Sequence, residues 1–416
     1  MQQKVVYAGV AASSFAKGAE LLDHLADLPI PPKQVERLTR TIGCERVAQR
    51  DGAVAAFAAL PLVQKFDAPA GVAPPELAVV QVDGGRLQIR ERDGLSTSAD
   101  TTAAGTEEDF DETQKGKGFW REDKLGVLLE MQSAVSVVDP CPEIPPGFID
   151  LLRIPLLAKQ IGKTAAPPDG DAAEGPGPAL TDEPDGHEPA YAPPEVKQRT
   201  VVATCRPWRS FALLIASAAH AAGFQQAKRR AFVADGSANN WRLQQRFFGS
   251  FTAVLDFIHA LSYVYAAALA GRPFGEGWEV YTRWITWVWK GEVKRVIDEL
   301  VSRQKEVGLP QEGEAETSVP SVVARALSYL GNHQDKMKYA EYRKAGLPLS
   351  SAVMESTVKQ MNQRVKGTEK FWCGEGAEAI VQLRADYLSD DQPLADFFER
   401  RQQNATGQRP YRRPAA

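Results

Sequence analysis

Three acidic residues of this 416-residue chain occupy positions that could carry chemistry. Asp83 ends an apolar run and is followed by Gly84. Asp235 ends a second short apolar run and is followed by Gly236, whereas Glu355 falls in the first turn of a predicted helix. Carboxylates that converge can hold two Mg²⁺ or Mn²⁺ ions about 3.5–4 Å apart, an arrangement suited to in-line displacement at phosphorus. An Asp-Gly pair alone usually marks a turn, so the prediction rests on all three residues together.

The helix that carries Glu355 is predicted from its capping residues and its spacing. Ser350 or Ser351 can cap it, and the helical pattern continues to about Val365. The face predicted to pack against a core consists of Val358, Met361, Asn362 and Val365. The positive end of the helix dipole stabilises a charged carboxylate in the first turn, which favours a cation-binding role for Glu355.

Basic residues follow Glu355 closely along the chain. They are Lys359, Arg364, Lys366 and Lys370. Basic side chains beside a cation-binding carboxylate suit a surface that holds nucleic-acid phosphates. Taken alone, this segment also fits a surface helix with ordinary salt bridges, and the remaining motifs favour the phosphate-binding interpretation.

The charge of the chain is unevenly distributed. The net charge of −4 argues against a uniformly basic nucleic-acid binder. However, residues 166–195 contain eight acidic residues, eight prolines and no Lys or Arg. Such a segment cannot bury a core, so residues 139–198 are predicted to form a disordered insertion.

Four separated cysteines without a C-x-x-C pair indicate neither a zinc ribbon nor a disulfide framework. The first twenty residues lack the apolar stretch of a signal peptide, and no apolar run is long enough to span a bilayer. We therefore expect a cytoplasmic protein with no membrane partner.

A mixed sheet flanked by helices is predicted to position the three carboxylates. Residues 76–92 read as a β-hairpin that turns at Gly84 and Gly85, so that Asp83 ends its first strand. Further strands are predicted over residues 124–130, 230–235 and 252–259. The order of strands and helices is that of the ribonuclease-H-like fold. In that fold the first and fourth strands are neighbours, which would bring Asp83 and Asp235 together.

The predicted domain boundaries follow from these periodicities. They are 1–70 for a helical N-terminal region, 71–138 and 199–258 for two parts of the sheet domain, 139–198 for the Pro/Asp/Glu-rich insertion, 259–340 for an all-α insertion, 341–390 for the final part of the sheet domain with the Glu355 helix, and 391–416 for a basic tail.

Two helices are predicted early in the N-terminal region, separated by Pro31 and Pro32, and the second is predicted to end at Gly43. Its outward residues are Lys33, Arg37 and Arg40. Two short helices around a tight turn are typical of a DNA-binding helix-turn-helix, and a small helical packing unit is the alternative.

Taken together, the motifs resemble those of DDE transposases from bacterial insertion sequences, of the ISKra type, and more distantly those of Mutator-like transposases. The matching pieces are V-x-V-D-G (80–84), V-A-D-G-S (233–237), L-D-F-I-H (255–259), G-L-P-L-S-S-A-V-M-E-S (346–356), R-V-K-G (364–367), Trp372 and A-I-V-Q-L-R (379–384). The resemblance covers roughly residues 14–390, apart from the Pro/Asp-rich insertion. This chain departs from the pattern at Ala352, where relatives usually have Gly.

This resemblance implies that Asp83, Asp235 and Glu355 are the catalytic, metal-binding triad of a ribonuclease-H-like domain, with two Mg²⁺ or Mn²⁺ ions. It further implies double-stranded DNA as the partner, both transposon ends and target, and at least a homodimer when the protein is assembled on DNA in the nucleoid. We expect the family's amino-terminal DNA-reading region to be partly absent.

Asp256 and His259 belong to the L-D-F-I-H motif, which resembles a (C/D)-x-x-H signature of the Mutator-like enzymes. Asp256 is therefore the rival of Asp235 for the second place in the triad. His259 has a functional and a structural interpretation. In the first it orients groups near the phosphate or holds the start of the all-α insertion. In the second it is a core histidine.

The tryptophans of the all-α insertion also allow two interpretations. Trp284, Trp287 and Trp289 follow helical spacing, which usually means a core. They could instead stack on an unpaired base at a cleaved DNA end.

Three functions therefore remain open at this point. The first is a metal-dependent transposase that nicks DNA at transposon ends and transfers 3′-hydroxyls to a target. The second is a DNA-binding protein derived from a transposase, with an inactive triad. The third is a host nuclease of the same fold.

Overall fold

The computed structural model describes residues 1–89, 120–160, 191–367 and 370–404. Its strands are β1 Leu77–Ile89, β2 Trp120–Gln132, β3 Glu195–Thr204, β4 Arg229–Ala234, β5 Thr252–Leu255 and β6 Phe371–Trp372. Its helices are α1 Gln2–Ala11, α2 Phe15–Ala26, α3 Pro32–Ala59, α4 Arg153–Gln160, α5 Trp208–Ala221, α6 Ala238–Phe247, α7 Phe257–Leu269, α8 Phe274–Trp289, α9 Val293–Val307, α10 Val319–His333, α11 Tyr339–Lys344, α12 Ala352–Val365, α13 Gly374–Leu388 and α14 Pro393–Gln403.

A single mixed sheet forms the centre of the protein. Its strand order is β3-β2-β1-β4-β5, and the short β6 pairs with the end of β1. The first three strands are antiparallel, whereas β4 runs parallel to β1 and β5 runs parallel to β4. The predicted α+β class with a mixed sheet is confirmed.

Helices cover both faces of the sheet, and alternate residues of each strand point to opposite faces. On one face α5 packs so closely that a Cβ on Gly126 would lie 2.4 Å from Cδ1 of Ile215. On the other face α12 is held by Gln81 of β1, which is hydrogen-bonded to Met354. Because β1 is covered from both sides, its first residues form a continuous apolar run that is fully buried.

The predicted hairpin at Gly84 and Gly85 is wrong. Strand β1 runs straight through both glycines and pairs with β2, with Asp83 opposite Leu125. A Cβ on Gly85 would lie only 2.7 Å from Oδ1 of Asp123, so this glycine makes room for a side chain of the neighbouring strand. Asp83 consequently lies within a strand and not at its end.

The prediction that residues 139–198 are disordered is wrong near both ends of this range. Helix α4 forms before the Pro-rich segment, and β3 begins at Glu195 and pairs with β2. Strand β3 forms because Val201, Val202 and Ala203 are buried in the sheet, an apolar run that the prediction assigned to no strand. Residues 161–190, with most of the prolines and acidic residues, lie outside the described part of the chain.

The fifth strand is shorter than predicted, because β5 ends at Leu255. Asp256 caps the next helix, since its Oδ1 accepts hydrogen bonds from the backbone N–H groups of Ile258 at 2.7 Å and His259 at 3.3 Å. The L-D-F-I-H motif is thus a strand-to-helix junction.

The N-terminal helices pack together, but they do not form the predicted pair of short helices. Helix α3 continues for 28 residues through Gly43. A Cβ on Gly43 would lie 2.8 Å from Cβ of Ala379, so this glycine allows α3 and α13 to approach closely. The helix-turn-helix prediction is wrong in this respect, although Lys33, Arg37 and Arg40 are exposed as expected.

Helices α7 to α10 form the all-α insertion between β5 and the Glu355 helix, and their apolar faces join the main core. At the C-terminal end α14 is helical, whereas Arg409, Arg412 and Arg413 of the predicted basic tail lie outside the described residues. None of the described helices is both long and apolar enough to cross a membrane.

Candidate active site

The register of the parallel strands aligns three carboxylates in one row. Gln81 of β1 pairs with Val233 of β4, and continuing this register by two residues places Asp83 beside Asp235. Ala234 of β4 pairs with Leu255 of β5, so the next residues, Asp235 and Asp256, are also neighbours. Adjacent strands lie about 4.8 Å apart, so the three residues are neighbours across the sheet, next to the carboxyl ends of β4 and β5.

Asp83 is a largely buried carboxylate with little compensation for its charge. The backbone N–H of Gly84 donates to its Oδ1 at 2.7 Å. Burial and then the nearby charge of Asp235 raise the pKa of Asp83 to about 6. Glu355 raises it further, whereas His259 and the Gly84 hydrogen bond act in the opposite direction. These four side chains therefore share one electrostatic environment.

Asp235 is oriented by the turn that follows β4. Its Oδ1 accepts hydrogen bonds from the backbone N–H of Ser237 at 2.9 Å and from Nδ2 of Asn240 at 2.8 Å. Its backbone oxygen accepts a hydrogen bond from the hydroxyl of Tyr329 at 2.6 Å. Both the main chain and the side chain of Asp235 are thereby fixed at the carboxyl end of β4.

The helix of Glu355 is anchored to β1 by the buried side chain of Gln81. Its Nε2 donates to the backbone oxygen of Ser350 at 3.3 Å, and its Oε1 accepts from the backbone N–H of Met354 at 3.1 Å. Gln81 thus satisfies an N–H group in the first turn of α12 that the helix leaves without a partner. Because Gln81 precedes Asp83 by two residues, the start of α12 lies over the same strand face as Asp83.

Asp256 is fully buried, and hydrogen bonds occupy its carboxylate. Oδ1 caps α7, while Oδ2 accepts from the backbone N–H of Ser351 at 2.7 Å and from the Ser351 hydroxyl. Ser350 or Ser351 is predicted to cap α12; Ser351 is the N-cap residue, but its hydroxyl donates to Asp256 and not to the helix. Asp256 therefore joins β5, α7 and α12, a structural role that favours Asp235 over Asp256 as a metal ligand.

Glu355 lies beside this junction. Burial and then the charge of Asp256 raise the pKa of Glu355, whereas His259 and Lys359 oppose the shift. His259 thus interacts with both Asp83 and Glu355. Its imidazole is half-buried.

In the described parts of the chain, no three His, Cys, Asp or Glu side chains are grouped closely enough to form a ready-made metal site. Asp83 interacts electrostatically with Asp235 and with Glu355, but these three carboxylates do not form a closed set of metal ligands. Their all-oxygen donor set fits a hard divalent cation, and burial, followed by the charge of Asp235, raises the pKa of Asp83.

The basic residues after Glu355 divide into two groups. Lys359 and Lys366 are exposed. Arg364 is 2% exposed; its Nε donates to the backbone oxygen of Gly9 at 2.9 Å and its guanidinium lies over Phe15. The prediction that Arg364 contacts DNA is therefore wrong, because this side chain joins α12 to the N-terminal helices. Lys370 is half-buried and donates to the backbone oxygen of Gln363 at 3.0 Å, near the end of α12.

The tryptophans of α8 are mainly core residues. Trp284 is 1% exposed and donates to Glu299, so the core interpretation is confirmed for it and the alternative, stacking on a base, is wrong. Trp289 is also buried and donates to the backbone oxygen of Cys141. Trp287 is half-buried, with the Arg295 guanidinium 4.0 Å from its ring centre.

Two residues of the site, Gln81 and Tyr329, are not predicted from the motifs. Gln81 had a detectable signal, because it is the one polar residue within the apolar run of residues 77–82. Tyr329 had none, since its contact with Asp235 joins residues 94 positions apart.

Comparison with known proteins does not identify a family for this chain. No protein-family model matches the sequence. A search of curated proteins likewise finds no match.

The different roles of Asp256 and Asp235 predict different effects on stability. Asp256→Asn replaces one acceptor oxygen by an amide in a buried site, so we expect a loss of about 2–4 kcal/mol in the free energy of unfolding. Asp235→Asn keeps one acceptor and removes repulsion with Asp83, so its effect is expected to be below about 1 kcal/mol. Urea unfolding of both variants, without metal, measures the difference. Equal losses would contradict the structural role of Asp256.

The raised pKa of Asp83 predicts that the ionised Asp83 side chain lowers the free energy of unfolding at neutral pH. The folded-state pKa of about 6 exceeds the usual value, so the folded chain binds this proton more tightly than the unfolded chain. The contribution of protonated Asp83 to the stability of the fold is complete below about pH 4 and is lost as the pH rises through 6. We expect Asp83→Asn to be more stable than wild type at pH 7.5, by on the order of 2 kcal/mol, and similar to it at pH 4.

Thermal or urea unfolding in chelator at several pH values tests this prediction. Asp23→Asn, on the exposed side of α2, is the matched control. A difference between Asp83→Asn and wild type that is constant from pH 4 to 7.5 would contradict it.

Proposed function

We propose that this protein is a DDE transposase that cleaves DNA at the ends of a mobile element and joins the resulting 3′-hydroxyls to target DNA. In this proposal Asp83, Asp235 and Glu355 hold Mg²⁺ or Mn²⁺. The observation that carries the proposal is the parallel register of β1 and β4, which, extended by two residues, places Asp83 beside Asp235, with α12 anchored over the same face by Gln81.

The topology supports the proposal that the sheet domain is ribonuclease-H-like. Three antiparallel strands are followed by two strands parallel to β1, and β4 adjoins β1. The first two acidic residues of the triad would then lie on neighbouring strands at the centre of the sheet. The third follows a block of helices, α7 to α10, as in the family that the motifs resemble.

A divalent cation bound here would activate a water or a 3′-hydroxyl and stabilise the leaving oxygen at phosphorus. The residues of the chain have three roles in this proposal. Asp83, Asp235 and Glu355 present hard oxygen ligands, and the hydrogen bonds to Ser237 and Asn240 fix the orientation of Asp235. His259 interacts with both Asp83 and Glu355 and lowers the pKa of each carboxyl.

The exposed lysines beside this site would contact the DNA backbone. Lys359 lies one turn after Glu355 on α12, and Lys366 follows the end of that helix. Double-stranded DNA is the proposed partner, and pairing of two element ends would require at least two subunits. A location at the nucleoid follows from this partner.

Neutralising the triad is expected to abolish cleavage without abolishing DNA binding. The substitutions are Asp83→Asn, Asp235→Asn and Glu355→Gln, because each keeps the size of the side chain and removes an anionic ligand. Gel-based cleavage of DNA carrying the sequences that flank the gene, with Mg²⁺ or Mn²⁺, measures the effect. We expect at least a 10³-fold loss of strand cleavage, on the order of 4 kcal/mol of transition-state stabilisation.

The control for these substitutions is Glu279→Gln, on the exposed surface of α8, which should cleave like wild type. Robust cleavage by Asp235→Asn would contradict the assignment of the triad. DNA binding by wild type without cleavage in any divalent metal would indicate a DNA-binding protein with an inactive triad. Cleavage that does not depend on the flanking repeats would indicate a nuclease.

DNA affinity should depend on Lys359 and Lys366. Each alanine substitution removes one phosphate contact, so we expect weaker binding across all DNA sequences and a salt-dependence slope reduced by about 1. Fluorescence anisotropy between 50 and 200 mM salt measures both quantities. Lys305→Ala, an equally exposed lysine on α9, is the control and should change neither. The same slope for all variants would contradict the proposed DNA surface.

A further inference from the structure

The all-α insertion contacts the main chain of Asp235 directly. The hydroxyl of Tyr329, on α10, donates to the backbone oxygen of Asp235 at 2.6 Å. Tyr329 is half-buried, and its hydroxyl is the donor of this hydrogen bond.

The turn after Asp235 is shaped to receive the tyrosine ring. Gly236 has φ +98°, which a residue with a side chain rarely adopts. A Cβ at this position would lie 2.8 Å from Cε2 of Tyr329 and 3.1 Å from Nε2 of His333. Tyr329 and His333 of α10 thus pack against the backbone of Gly236, where a residue with a Cβ would collide with them.

Tyr329 is in turn fixed by the rest of the insertion. Its ring stacks on Tyr263 of α7, with ring centres 3.7 Å apart and an angle of 14° between the planes. Helix α7 begins at Asp256, whose carboxylate holds the start of α12. The insertion is therefore braced against β4 through Tyr329 and against β5 and α12 through Asp256.

The position of the Asp235 carboxylate depends on this turn. Its Oδ1 is oriented by the N–H of Ser237, two residues along the same turn. If the backbone of residues 235–237 shifts, the carboxylate shifts with it. Groups that orient metal ligands typically contribute about 10–100-fold to metal affinity.

We propose that Tyr329 is a positioning residue that makes metal binding by Asp235 depend on the docked all-α insertion. The inference rests on the proposed role of Asp235 as a metal ligand. It assigns to the insertion a direct part in shaping the site, in addition to any contact with DNA.

Tyr329→Phe tests this proposal because it removes one oxygen and keeps the ring stack. Tyr342→Phe is the matched control: its hydroxyl also donates to a backbone oxygen, that of Ala253 in β5, at 3.1 Å. Two quantities are measured on the full chain. They are the affinity for Mn²⁺, by calorimetry, and the amide hydrogen exchange of residues 235–240 without metal.

We expect Tyr329→Phe to weaken Mn²⁺ binding about tenfold and to increase exchange at residues 235–240, with a melting temperature similar to that of Tyr342→Phe. Tyr342→Phe should leave both quantities unchanged. Wild-type affinity and exchange in Tyr329→Phe, or the same Mn²⁺ loss in both variants, would overturn the positioning role. If amide exchange at residues 235–240 is faster in Tyr329→Phe but wild type binds no Mn²⁺, the Tyr329 contact with Asp235 would be supported and the proposed metal site rejected. Unchanged exchange with no Mn²⁺ binding would reject both.

Discussion

The arrangement of the site depends on the hydrogen bonds that the buried carboxylate of Asp256 accepts. A buried carboxylate is costly unless hydrogen bonds compensate for its lost hydration. Here the donors come from two separate helix starts, the first turn of α7 and Ser351 before α12. The need to satisfy one buried charge therefore fixes where both helices begin. Gln81 adds a second tie between α12 and β1, and Glu355 follows Met354, the residue that Gln81 holds.

Within this framework two further carboxylates, those of Asp83 and Asp235, lie near each other. Asp83 is held within β1 and Asp235 at the end of β4, and their proximity contributes to the raised pKa of Asp83. A carboxylate whose pKa is raised by burial and by a neighbouring carboxylate is common at functional sites. The proposed nucleic-acid chemistry would use the repulsion between these carboxylates to bind metal ions.

The parts of the site that could be predicted are those set by local sequence. An apolar run followed by Asp-Gly identified Asp235, and helical spacing placed Glu355 in the first turn of α12. Long-range packing decided the rest. Whether Gly85 turns the chain or makes room depends on Asp123 of another strand, and the burial of Arg364 depends on Gly9 and Phe15 of the N-terminal helices. The contact of Tyr329 with Asp235 likewise links elements that no single motif contains.

The central claim is that Asp83, Asp235 and Glu355 form one cation site next to the carboxyl end of β4. Anomalous X-ray scattering from crystals grown with Mn²⁺ tests it most directly, because the signal locates the ion independently of any assay of activity. We predict a peak coordinated by Asp83 and Asp235, with Glu355 as a further ligand and Asp256 still bonded to Ser351. Full Mn²⁺ peaks only at other acidic residues, with none among these three carboxylates, would contradict the account.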